Sequence, residues 1–148
     1  MFVKSLWLVP IFTLTMLQAG GTDQAAKHLE AMQGKWAMER LEINGKEISQ
    51  AQIGETLLNV RKNDYRTTVK GKELFGFRIK LDTTKDPHWF DMIQTQPDGS
   101  EKLLKGIYKL ENGKFWMCRA AAAEQERPNQ FATWPDTGYF VVTWRKSK

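Results

Sequence analysis

From Gly34 onward the chain is written in period two: bulky apolar residues alternate with polar ones over short runs, and turn signals end most of the runs. The clearest run is ELFGFRIKL, 73–81, where Phe75, Phe77, Ile79 and Leu81 share one parity and Arg78 and Lys80 the other. A side-chain period of two is that of a half-buried strand. The same reading places strands at 35–43, 55–62, 65–70, 88–95, 101–110, 114–120 and 138–146. Asn44-Gly45, Asn63-Asp64, Gly71, the PDGS at 97–100 and Asn112-Gly113 punctuate them, and short turns of this chemistry join antiparallel neighbours. Between 35 and 43 the parity breaks: Trp36 and Met38 lie on one face, Leu41 and Ile43 on the other. A bulge near Glu39-Arg40 would return all four to a common face.

Helical spacing is confined to TDQAAKHLEAMQ, 22–33, with Thr22 or Asp23 as N-cap and Gly34 as stop, and to a weaker trace at 121–126. With no helices to serve as parallel crossovers, the strands must form a meander. The expected fold is all-β: about eight antiparallel strands in an up-and-down barrel, with a short N-terminal helix. Closure removes the sheet edges; a two-layer sandwich is the alternative.

The N-terminus carries a different signal. Lys4 precedes an apolar stretch from Leu6 to Leu17, followed by Ala19-Gly20-Gly21 and a polar TDQ. This three-part layout is that of a secretory signal peptide, and the apolar run is too short for the roughly 20 residues of a membrane span. Cleavage is expected after Gly21, with Ala19 at position −3, or else after Ala19. The division is a signal peptide at 1–21 and one barrel domain at 22–148, exported to the periplasm or beyond. The single cysteine, Cys118, allows no intramolecular disulfide, so a core must hold the fold and a monomer is expected.

The 22 basic and 17 acidic residues are interspersed, for a net charge of +5. A nucleic-acid footprint gathers its Lys and Arg on one face or in one run, so nucleic acid is not an expected partner. Weak attraction to anionic envelope components fits the sign of the charge.

Two features at the ends of the meander point to a family. Gly34-Lys35-Trp36 opens the first strand, and Arg145 closes the last. The pair resembles the lipocalin and wider calycin signature, in which a G-x-W tryptophan sits in the barrel floor under a basic residue from the final strand. Further segments resemble a group of small exported lipocalin-like bacterial domains, numerous in planctomycetes. They are Asn44-Gly45-Lys46, Pro87 with Asp91, Gly106-Ile107-Tyr108, Cys118, Arg127-Pro128 with Phe131, and Arg145. Trp89 and Phe90 before Asp91 depart from that pattern, as do Trp134 and Trp144. That group has no assigned activity, so the resemblance bears on fold rather than chemistry.

No residue constellation reads as an active site. His28 and His88 lack metal-ligand spacing, and neither a metal nor a cofactor is expected. Cys118 would need a base such as His88 to become a nucleophile; the plainer reading is a structural thiol between Trp116 and Ala120 on one strand face. Asp91 reads as an internal partner for Arg78, Arg119 or Arg127, or else as a polar ligand anchor. Arg127-Pro128 lies in the longest loop, either gating a ligand or tying the loop down. The expected function is an exported binding protein, not an enzyme, holding a small apolar or amphipathic ligand inside the barrel. Its lining would come from Phe75, Phe77, Arg78, Trp89, Asp91, Tyr108, Trp116 and Arg127, with Gly34, Trp36 and Arg145 as the structural signature. The alternative is a structural or interaction module of the cell envelope with no internal ligand.

Overall fold

A computed structural model describes residues 20–148. The proposed leader falls largely outside them; its last two residues, Gly20 and Gly21, form the first turn of a helix, α1 (Gly20–Met32). Then come β1 (Gly34–Ile43), β2 (Lys46–Glu47), α2 (Gln50–Ile53), β3 (Thr56–Arg61), β4 (Asp64–Val69), β5 (Lys72–Asp82), β6 (His88–Thr95), β7 (Glu101–Glu111), β8 (Lys114–Ala120) and β9 (Tyr139–Lys146). Each strand from β3 to β9 pairs with its sequence neighbour, and β9 returns to pair antiparallel with β1. The result is a closed eight-stranded up-and-down barrel, with β2 as a short hairpin extension of β1. It is not a two-layer sandwich.

Turn chemistry explains the connections. Asn44-Gly45 has φ of 50° and 79°, and Asn112-Gly113 has 54° and 71°. Successive positive φ values are what a two-residue hairpin of the right twist demands. The parity break in β1 is resolved as expected: its register with β9 slips between Met38 and Arg40, so Met38, Leu41 and Ile43 all face inward.

The floor is solid. Met32, Trp36, Leu58, Phe90, Tyr108 and Phe115 form a continuous buried cluster, with Trp36 edge-on to Phe115 at 6.0 Å between ring centres. α1 closes this end: Leu29 and Met32 face the cluster, and the Trp36 indole N–H donates to Met32 O at 2.8 Å. The cation over the Trp36 ring is Lys146, at 4.5 Å, and not Arg145. In β9, Phe140, Val142 and Trp144 face inward, and strict alternation puts Lys146 on the same side and Arg145 on the outer surface. A cation does stack on this tryptophan, but it comes from the residue after the one expected.

A second, smaller core lies outside the barrel wall. Ile107, Cys118 and Val141 are buried there against Trp89, Phe131 and Tyr139. The segment 121–138 covers them, stitched down by Thr133, whose hydroxyl accepts from Gly45 N at 2.7 Å and donates to Glu42 at 2.6 Å. At its near end Arg127 lies on the Trp89 ring at 4.1 Å, pairs with Asp91 at 2.7 Å and donates to Gly106 O at 2.7 Å. Of the three arginines considered for Asp91, it is Arg127 that binds it, and the loop is tied rather than free.

Cys118 belongs to this outer core. It is fully buried, its thiol donates weakly to Ala132 O, and burial pushes its pKa up to about 12. His88 lies on β6, which β7 separates from β8, and its ring packs with His28 and Tyr108 rather than with the thiol. Since a thiolate is the reactive form, the native protein should resist iodoacetamide at pH 8 and react fully in denaturant. Modification of the native protein at the denatured rate would contradict this burial.

Candidate functional site

The open end of the barrel is a cavity of about 350 Å³. Met92, Met117, Trp144 and Tyr65 line it, with Met38, Leu41, Phe77, Phe140 and Val142 among the wall residues. At the rim are α2, through Gln52 and Ile53, and the β4–β5 hairpin, through Val69, Leu74 and Phe75. α2 is a single turn secured by a capping box: Gln52 N donates to Ser49 Oγ and Ser49 N to Gln52 Oε1. This lets so short a helix hold buried Ile53 over the mouth.

Leu74 and Phe75 are consecutive yet both line the cavity. The β4–β5 register slips between Thr67 and Thr68, so the β5 stretch Glu73–Phe75 spans an extra residue and turns both side chains toward the mouth. They are 54% and 43% exposed, an apolar rim on an otherwise polar edge. Pairing of β5 with β6 runs from Arg78–Ile93 to Asp82–Trp89. Beyond it a polar cleft of about 530 Å³ opens beside the cavity, sharing Leu74, Phe75 and Phe77.

The polar groups in the cavity are few and lie together. Arg119 enters from β8 directly opposite Gly106 of β7. A side chain on Gly106 would press on Cys118 O at 2.8 Å, Phe90 O at 3.1 Å and Arg119 Cβ at 3.2 Å; the glycine makes room for the arginine. Gly106→Ala should therefore cost about 1–3 kcal/mol through forced backbone shifts, read as a lower denaturant midpoint. An unchanged midpoint would show that the site gives more easily than its geometry indicates.

The Arg119 guanidinium stacks on Phe140 at 4.5 Å and donates to Ala120 O at 3.1 Å. No carboxylate pairs with it among the described residues. Burial pulls its pKa down, with Tyr65 acting in the opposite sense, but a guanidinium remains charged in proteins. Arg119, Trp144 and Thr67 all adjoin the Tyr65 hydroxyl, whose pKa burial raises. The Trp144 indole N–H, in a residue 1% exposed, meets hydrogen-bond geometry with no described residue.

The structure divides the expected lining. Phe75 and Phe77 face the cavity. Tyr108 points inward but at the floor, where its hydroxyl meets His28 Nδ1 at 2.8 Å. Arg78 is on the outer surface, ion-paired with Glu101. Trp89, Asp91 and Arg127 hold down the outer loop, and Trp116 is outside too, beneath Lys109 at 4.9 Å. Arg119, Tyr65, Thr67 and Trp144 were absent from the expected set. Parity held the signal: Arg119 follows Phe115 and Met117 at spacing two, on the inward face of β8.

The two histidines meet at the α1–barrel junction, ring centres 5.3 Å apart. His28 has its pKa lowered, first by burial and then by the charge of His88. The fold thus disfavours its protonation, so its stability contribution is intact above the unfolded value near 6.5 and erodes as pH falls below it. Asp82 acts electrostatically on neighbouring Tyr108, and the Lys85 carbonyl meets His88 Nδ1. Melting temperature should fall between pH 7 and 5.5, less steeply in His28→Gln. Parallel profiles for the two proteins would exclude a role for His28.

A search of protein-family models, curated proteins and solved structures finds no match to this chain.

Proposed function

We propose that the protein is a small-molecule binding module, taking a small apolar or amphipathic guest into the open end of its barrel. The observation that carries this reading is the apolar cavity of about 350 Å³ above a solid floor. That volume lies within the ~300–1,000 Å³ of ligand pockets, which combine apolar walls with a few placed polar groups. At roughly 30 Å³ for each water-sized group, it accepts on the order of a dozen heavy atoms. Burial of apolar surface, at about 25 cal/mol per Å², supplies the driving force.

The N-terminal signal and the resemblance to small exported lipocalin-like domains support a monomeric carrier in the periplasm or outside the cell, with weak attraction to anionic envelope components. The alternative, an envelope interaction module with no guest, draws on Trp134, 45% exposed on the covering loop. Trp89, which would enlarge such a patch, is capped by Arg127 and Lys85.

Native mass spectrometry of the full chain purified from an exporting host, with solvent extraction of bound molecules, tests the reading. A co-purifying small molecule is expected, lost when Met117→Trp fills the cavity. A bare protein that also gives no calorimetric heat with 1-decanol would refute it.

A further inference from the structure

We propose that the guest is a single-chain anionic amphiphile, its head group held by Arg119 with the Trp144 N–H and the Tyr65 and Thr67 hydroxyls, and its chain lying against Met92, Met117 and Phe77. This rests on the cavity reading and specifies its ligand.

Three observations converge on one sign of charge. First, a cationic side chain stands in an apolar cavity with no carboxylate partner among the described residues. The loop arginine shows what a structural arginine does here: Arg127, also shielded from solvent, has Asp91 at 2.7 Å. Placing an unpaired charge against apolar walls is unfavourable in a protein that has only folding to achieve. Second, Trp144 presents a buried indole N–H that meets hydrogen-bond geometry with no described residue, although the Tyr65 hydroxyl lies beside it. An indole can only donate. Third, the Tyr65 and Thr67 hydroxyls stand next to these groups and next to each other, so each can turn its O–H toward an acceptor placed among them. A cluster rich in donors, with one fixed positive charge, is complementary to an acceptor-only anion such as a carboxylate, and a planar guanidinium matches a carboxylate in shape. The stack on Phe140 and the hydrogen bond to Ala120 O hold the guanidinium in place.

The size of the cavity limits the rest of the molecule. A dozen or so heavy atoms corresponds to a chain of about ten carbons with its carboxylate. A two-chain lipid exceeds it.

Calorimetric titration at pH 7.5 with decanoate, 1-decanol and decylammonium separates the possibilities. These probes share one chain length and differ in head-group charge. Decanoate should bind at least about tenfold more tightly than 1-decanol, the increment expected of a charge-assisted hydrogen bond, and decylammonium should bind most weakly. Arg119→Gln should bring decanoate down to the affinity that the same variant shows for 1-decanol. The melting temperature of the ligand-free Arg119→Gln protein should hold steady or rise, because a charge unpaired among the described residues has been removed.

Equal affinity for decanoate and 1-decanol in the unaltered protein would overturn the anion inference and leave the cavity reading standing. Absence of binding by all three would overturn both. A preference for decanoate that survives Arg119→Gln would remove Arg119 from the site. A large drop in the variant's melting temperature would make the arginine structural instead. The probe series on the unaltered chain decides the charge question even if the variant fails to fold.

Discussion

Trp36→Ala should lose about 3–5 kcal/mol of stability, the range for truncating a buried aromatic side chain. The indole is buried between α1 and the barrel, and three further interactions depend on it. Its N–H donates to Met32 O at 2.8 Å, Lys146 lies over its face at 4.5 Å, and Phe115 packs on it at 6.0 Å. The first of these anchors α1, so truncation should loosen the helix as well as open a hole in the floor. For a domain with about 5–15 kcal/mol in total, the variant should be marginal at room temperature. Urea denaturation followed by circular dichroism checks the size of the loss, and amide exchange checks that α1 is released before the barrel. Lys146→Ala should cost about 1 kcal/mol, since a solvated cation–π contact and an exposed hydrogen bond to Gln33 O are lost while the indole stays in place. Arg145→Ala should have no measurable effect, because that side chain points outward.

Arg127→Ala should lose about 2–4 kcal/mol, the second largest effect. The guanidinium makes an ion pair with Asp91, a hydrogen bond to Gly106 O and a stack on Trp89. Removing it strands a carboxylate whose side chain is only 21% exposed. Breaking a fully buried pair costs about 3–5 kcal/mol; residual exposure of both partners lowers the figure. Asp91→Asn with Arg127→Met should recover much of the loss, since the stranded charge would then be gone. The readouts are the denaturant midpoint and protease cleavage within 121–138. If Arg127→Ala leaves both unchanged, the small outer core and the Thr133 hydrogen bonds hold the loop without it.

The strands were legible because the inward and outward faces differ in chemistry almost everywhere. The bounds expected for β6 and β8, 88–95 and 114–120, match the structure, and the bulge at Glu39 follows from the parity break alone. β2 and α2 were not legible: the stretch from Lys46 to Ile53 is too short for any period to declare itself. Assigning the Trp36 cation to Arg145 is a one-residue slip, which in a strand reverses the face; the parity of Trp144 already pointed to Lys146.

The site was less legible than the fold for a different reason. Trp89, Ile107, Cys118 and Val141 are apolar and face outward, so an apolar aromatic in a strand did not mean an inward one. What makes them buried is the loop 121–138, whose path no local pattern records. Whether inward residues leave a cavity depends on how side chains from all eight strands meet, and alternation carries no such information. The arginine in the cavity was recoverable from its parity with Met117, but its lack of an ion-pair partner among the described residues shows only in three dimensions.

On the proposed function, the upper half of the barrel, and not its floor or its outer layer, receives the guest. Amide shift mapping by nuclear magnetic resonance during titration with decanoate locates it. Saturable shifts should appear at Arg119, Phe140, Thr67 and Phe75, with little change at Tyr108, Trp89 or Trp116. Shifts confined to the outer loop, or none at all at saturating decanoate, would contradict it.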